Sequence, residues 1–228
     1  MQEFDFDVIQ RSWVYLFRDG MVFTLKLTVL ATLGGIILGT LLALVRLSSI
    51  KPLAAAAATY VNVLRALPLI LVIFWFYFLV PYIGGWLTGS STPIAVGGFT
   101  SALITFILFE AAYFCEIMRA GIQSVPRGQT AAGSALGLTY WQLMRYVILP
   151  QAFRNMLPVL LTQVIVLFQD TSLVYVLSLT DFLGAAVKVA QRDGRLIEMY
   201  MFVAVVYFIM SYAASLGVKH LRKRYGIA

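Results

Sequence analysis

Five apolar runs decide what this chain can fold into. They fall at 21–45, 60–80, 94–118, 156–179 and 197–218. Each is close to the roughly 20 residues a helix needs to cross a hydrocarbon core of about 30 Å. Inside that core there is no water to satisfy backbone N–H and C=O groups, so a spanning segment of this kind must be helical. Hydrophobic residues make up 61% of the chain and charged ones only 12%, with a mean hydropathy of +0.88. A soluble domain of 228 residues could not build its polar shell from so little. The expectation is an all-α polytopic membrane protein with five transmembrane helices, residues 1–228 forming one transmembrane domain.

Punctuation within the runs adds detail. Pro68 predicts a kink or a helix start in the second run. A Gly/Ser/Thr-rich loop is expected at 82–92, and the polar segment 119–154 separates the third run from the fourth. The alanine run 54–58 reads as ordinary helix.

Five crossings put the ends on opposite sides, which sorts the loops into two sets. One holds Arg46, Lys51, Arg65, Arg119, Arg127, Arg145, Arg154, Lys219, Arg222, Lys223 and Arg224; the other holds Arg11, Arg18, Lys26, Lys188, Arg192 and Arg195. The second set also carries Glu3, Asp5, Asp7, Asp19, Asp181 and Asp193. Basic residues concentrate in cytoplasmic loops. The amino terminus is therefore expected outside, the carboxyl terminus inside, and 119–154 in the cytoplasm. The net charge of +7 then reflects this bias, and no nucleic-acid partner is expected because no aromatic-interleaved basic stripe exists. The acidic start lacks the basic region of a signal peptide, so the first helix is expected to serve as its own insertion signal.

The single Cys115 excludes an intrachain disulfide, and the single His220 excludes a histidine-based metal cluster. No Gly-x-x-x-x-Gly-Lys-[Ser/Thr] nucleotide loop is present. No catalytic residue is expected.

The segment 119–154 is the most informative. It contains Gly121, Pro126, Gly128, Gln129, Ala131, Ala132, Gly133, Ala135, Leu136, Gly137, Thr139 and, later, Ile148-Leu149-Pro150. Pro126 with Gly128 suggests a turn, and 129–136 has a helical composition. Gly137 is placed to end that helix left-handed. Thr139 can cap a following helix, which Pro150 is expected to interrupt. The small residues would let another protein approach closely. On composition alone, a plain structural hairpin explains the segment as well.

This segment resembles the EAA loop of binding-protein-dependent ABC importers. The acidic residue that names the loop is absent, and Ala131 stands in its place, which weakens any claim of a specific salt bridge to the ATPase but not the docking role that the resemblance implies. Leu64-Arg65-Ala66-Leu67-Pro68-Leu69-Ile70, then Ala112-Tyr113 with Glu116 and Arg119-Ala120-Gly121, then Asp170-Thr171-Ser172-Leu173 resemble the second-, third- and fourth-helix signatures of polar amino acid permeases. Phe109-Glu110 through Tyr113, with Phe168-Gln169-Asp170 through Tyr175, look most like the glutamate/aspartate branch; glutamine, histidine and arginine permeases share the frame.

The resemblance implies a type I ABC importer permease fold in a bacterial inner membrane. It implies a coupling helix formed by Gly128, Gln129, Ala131, Ala132, Gly133, Ala135, Leu136 and Gly137, docked in a cleft of an ATPase. It implies two permeases, the second identical or a paralogue, with the acidic branch favouring a paralogue, together with two ATPases and a periplasmic amino-acid-binding protein. The chain itself is expected to bind no cofactor and no metal; ATP and Mg belong to the partner ATPase.

Ionisable residues at membrane depth are costly unless they face protein or water. Glu110 and Asp170 are the candidates to hold a substrate ammonium, with Thr171 and Ser172 beside them. A satisfied interhelical hydrogen bond, or a cap on a broken helix for Asp170, remains the alternative. Arg65 could meet a substrate carboxylate or reach for lipid headgroups. Glu116 is expected to pair with Arg119, three residues on. A membrane enzyme would need clustered His, Asp or Ser at one face. A passive channel or scaffold without an ATPase partner is the other rival.

Overall fold

The computed structural model describes residues 4–224; Glu3, counted above among the outer acids, lies outside them. Among the described residues the chain is a helical bundle, with five helices long and apolar enough to cross a membrane. In order the α-helices are α1 (Asp7–Val14), α2 (Val22–Arg46), α3 (Lys51–Ala66), α4 (Leu69–Leu87), α5 (Gly98–Gln123), α6 (Arg127–Ala135), α7 (Tyr140–Leu143), α8 (Leu149–Asp170), α9 (Phe182–Asp193) and α10 (Leu196–Arg224). A π-helical stretch, Tyr15–Met21, fuses α1 to α2 into one rod.

α5 is the hub. It is buried along nearly its whole length, Cys115 and Phe114 included, and packs most extensively on α2. Lipid is as apolar as leucine, so helices in a membrane associate through close packing rather than hydrophobic transfer. α2 meets this demand with a face of Thr24, Thr28, Ala31, Gly35, Gly39 and Ala43, all buried. At Gly39 a β-carbon would lie 2.8 Å from Phe114 Cβ and 3.0 Å from the Ala111 carbonyl oxygen. The missing side chains are what let the two backbones touch.

Pro68 starts a helix rather than kinking one: Leu67 is extended (ψ 142°), α3 stops at Ala66 and α4 begins at Leu69. α4 then continues to Leu87 with Pro81 inside it, so the expected loop at 82–92 is shorter than its composition suggests. Pro150 does not interrupt its helix. It occupies the first turn of α8, where a missing N–H costs little, and the π-helical stretch Met144–Ile148 joins α7 to α8. The segment 119–154 is correspondingly helical at both ends, since α5 runs to Gln123 and α8 starts at Leu149.

At the end away from α6, an ionic network ties α1 to the α9–α10 hairpin. Arg11 meets Asp193 at 3.1 Å, and Arg195 meets Asp5 at 3.5 Å and Glu198 at 3.2 Å. Arg192 holds the Asp193 carboxyl below the usual carboxylate range.

Candidate functional site

Two features stand out, one outside the spans and one between them. The first is the α6–α7 loop. Pro126 is the residue before α6, and Gly128 lies inside the helix rather than in a turn. The helix closes as a Schellman motif: Leu138 N–H donates to the Gly133 carbonyl at 3.1 Å and Gly137 N–H to the Ser134 carbonyl at 3.0 Å. Gly137 supplies the required left-handed backbone at φ +75°. Thr139 then caps α7 in a capping box, its N–H donating to Gln142 Oε1 at 2.9 Å and its hydroxyl accepting from Gln142 N–H at 3.4 Å. The turn is thus fixed by its own backbone before any partner arrives.

The loop has two faces. Gly133 is buried, and a β-carbon there would lie 2.4 Å from Leu143 Cδ1. It seats α6 on the cluster of Val125, Leu143, Ile148 and Ala152, so it serves the loop's underside rather than the open small-residue surface expected of it. Gly128, Gln129, Ala131, Ala132, Ala135 and Gly137 are exposed. Leu136 is 81% exposed and Trp141 79%, beside Tyr140. Together they form an exposed apolar patch at the α6–α7 turn.

The second feature is a cavity of about 400 Å³ between the last turn of α3, the C-terminal half of α5 and the first half of α8. Its polar lining is Arg65, Tyr113, Glu116, Ser124, Asn155 and Gln163. The Arg65 guanidinium stands over the Tyr113 ring, 5.5 Å from its centroid, and is in no ion pair among the described residues. Glu116 is paired with Arg119, as its spacing predicts, and also with Arg46 of α2 at 2.5 Å. Asn155 donates to Ser124 Oγ at 2.8 Å, linking α8 to the end of α5.

The structure separates the five substrate-path candidates. Arg65 is on the cavity wall. Glu110 is fully buried one side chain behind it: the Gln163 amide, which does line the cavity, donates to Glu110 Oε1 at 3.3 Å and Oε2 at 3.1 Å. Asp170 lies seven residues beyond Gln163 along α8, about 10 Å, partly buried and without a side-chain capping bond. Thr171 is buried and donates its hydroxyl to the Phe168 carbonyl at 2.7 Å; Ser172 is partly buried beside it. From Thr171 to Leu177 the helix tightens to 3₁₀. Gln163 and Asn155 are the polar groups that motif reading missed. Gln163 carries a signal all the same, as an amide inside the otherwise apolar run 156–179, whereas Asn155 sits just before that run beside Arg154.

Comparison with known proteins agrees with this architecture. The profile of the family described as binding-protein-dependent transport system inner membrane component matches residues 35–227. The glutamate/aspartate import permease protein GltK of Escherichia coli O157:H7 is 53% identical over 224 residues, covering 98% of this chain and 99% of its own. The probable glutamine ABC transporter permease protein GlnM of Bacillus subtilis is 34% identical, covering 92% and 93%. Among solved structures, an amino acid ABC transporter crystallised with histidines superposes with a TM-score of 0.85 at 33% identity, covering 98% of this chain and 99% of that one. The inward-facing MetNI methionine ABC transporter superposes at 0.71 with 20% identity, a likeness of fold.

Proposed function

The chain belongs to the binding-protein-dependent transport system inner membrane components, and we propose that it is the permease subunit of an importer for glutamate and aspartate. It is a multi-pass inner-membrane transport subunit and not the ATP-hydrolysing one. The observation that carries the substrate is the difference in identity, 53% to a glutamate/aspartate permease against 34% to a glutamine permease. Its partners in this reading are a paralogous permease, two ATPases that hold ATP and Mg, and a periplasmic amino-acid-binding protein.

The cavity supplies a path with the right chemistry. Arg65 offers planar paired donors to a carboxylate. Gln163, held by Glu110, presents a carbonyl oxygen to an ammonium, and Asp170 with Thr171 and Ser172 continues the path along the same helix. Leu136, Tyr140 and Trp141 anchor the α6–α7 loop in the ATPase cleft. ATP selects between inward- and outward-open states, and the loop ties the path to that choice.

The test is reconstitution with the cognate ATPase, second permease and binding protein. Labelled glutamate and aspartate should accumulate in an ATP-dependent way and compete with each other. Accumulation of glutamine, histidine or arginine in their place would overturn the substrate. Orientation is tested with single cysteines in a Cys115→Ala background. An impermeant thiol reagent on intact cells should label Ser91→Cys and leave Thr130→Cys untouched; the reverse would invert the topology.

A further inference from the structure

A second cavity lies at the far end of the fourth span. It encloses about 240 Å³ where the 3₁₀ stretch ends and α9 begins, and its lining includes Tyr175, Ser178, Leu179, Gly184, Lys188 and Gln191. α8 starts just after the α6–α7 loop, and its 3₁₀ continuation ends here, so the two cavities lie toward opposite ends of one span. Two observations separate this pocket from a packing gap.

The first is charge. Lys188 Nζ donates to Thr180 Oγ1 at 2.5 Å, a neutral partner. An ammonium has three donors, and Lys188 is in no ion pair among the described residues. Asp181, on the same element, accepts from the Leu183 and Gly184 N–H groups at 3.0 Å each. Burial pushes its carboxyl up to about 7, with the Lys188 charge among the influences opposing that shift, and its oxygens make their hydrogen bonds to those two N–H groups rather than to Lys188. The second is backbone. Ser178 holds a left-handed conformation at φ +60°, the positive-φ residue other than glycine among those described. Such positions persist where the surroundings enforce them, and they gather at ligand sites. Here the strained turn swings the chain from the 3₁₀ stretch into α9, against Gly184, where a β-carbon would lie 2.2 Å from the Leu179 carbonyl oxygen. That approach brings Lys188 and Gln191, one helical turn apart, over the pocket.

We propose that this outer cavity is a receiving subsite for the side-chain carboxylate of a dicarboxylic amino acid on its way to the inner cavity, with Lys188 as the specificity-determining cation. The inference rests on the glutamate/aspartate reading above. A carboxylate gains a charge-assisted bond from Lys188; the neutral amide of glutamine does not. The substrate thus meets one cation at each end of the span, Lys188 first and Arg65 second, with Glu110 and Asp170 between them.

The experiment uses the complete complex in proteoliposomes, with glutamate-loaded binding protein, and reads glutamate moved per ATP hydrolysed. Lys188→Gln should lower that ratio about tenfold, the scale of one lost charge-assisted bond. Lys188→Arg should restore most of it. Gln191→Glu, which sets a like charge beside the incoming carboxylate, should lower it too. An unchanged ratio in Lys188→Gln and Gln191→Glu overturns the subsite. So does a weaker affinity for the loaded binding protein, which would assign Lys188 to protein docking. A defect confined to vesicles with anionic lipid, and absent in phosphatidylcholine alone, would assign it to a lipid phosphate and also overturn the proposal. If wild-type complex moves glutamine and not glutamate, the parent reading fails, and that result is distinct from all of these.

Discussion

At the seam between α2 and α5, glycines are needed for space; at the turn between α6 and α7, one is needed for its backbone angle. At Gly39 the neighbours of an added β-carbon are Phe114 Cβ, the Ala111 carbonyl oxygen and the Cys115 nitrogen, all within 3.0 Å. At Gly137 nothing lies within 4 Å, and only the φ of +75° opposes a side chain. The seam serves helix packing, and in the proposed function the turn serves coupling. The same residue type therefore predicts different failures in the two places.

The largest effect is expected at the seam. Gly39→Leu would have to displace backbone, and overpacking already costs about 1–3 kcal/mol where side chains alone must yield. The subunit should fail to accumulate in membranes or melt far below wild type in detergent. Gly34→Ala should be milder, because there the obstruction is the end of the Ile107 side chain, 2.6 Å away. Equal accumulation of both variants with wild type would show that the seam can open.

Gly137→Val should produce the opposite phenotype, with normal membrane levels and no transport. A left-handed backbone costs a residue with a β-carbon roughly 1–2 kcal/mol, and more when it is β-branched. The exposed loop would escape that cost by giving up its Schellman geometry. Gly137→Asn, which tolerates the conformation, should keep most transport. Uptake measured beside membrane immunoblots decides the matter: transport by a well-expressed valine variant would take the coupling role away from this turn.

The comparison also shows what a sequence can and cannot disclose. The left-handed Gly137 and the Thr139 cap were legible because both are local: a few consecutive residues fix the hydrogen bonds. The five spans were legible because their length is set by the bilayer. The role of Gly133 was not. Whether a small residue faces a partner or its own underside depends on where Leu143 folds back, which spacing does not encode. Glu110 was recognisable by its cost at membrane depth, yet its partner Gln163 lies on another helix, and only the packing of α5 on α8 brings them together. Pro150 suggests a break, and the π-helical join that lets it sit in the first turn of α8 has no sequence signal of comparable strength.

Glu110 adjoins the seam, since a β-carbon on Gly35 would lie 3.1 Å from its own Cβ. It therefore tests whether seam residues serve only assembly. Glu110→Gln keeps the shape and removes the charge. It should leave the complex assembled and lower glutamate and aspartate uptake about tenfold, through loss of a charge-assisted bond to Gln163 and of the field it presents to the ammonium. Asp170→Asn is the companion. Wild-type uptake in both variants would make the two acids structural. Failure of Glu110→Gln to assemble would place Glu110 with Gly39 on the assembly side.

The smallest effect is expected in α6 itself. Gly128 has an ordinary negative φ and nothing within 4 Å of an added β-carbon, so neither reason for glycine applies to the isolated subunit. Gly128→Ala should strengthen α6 by up to about 1 kcal/mol of helix propensity. Whether transport follows depends on the ATPase. If the partner is gripped by Leu136, Tyr140 and Trp141 at the far end of the loop, a methyl group at 128 is harmless and uptake stays at the wild-type rate. If the ATPase instead rests directly on the backbone at the first turn of α6, alanine should weaken docking and uptake together, and a bulkier Gly128→Phe should abolish both. Measuring ATPase recovery and uptake for the two variants distinguishes these arrangements. A loss with alanine would move the docking surface from the Gly137 end of the loop to the Pro126 end.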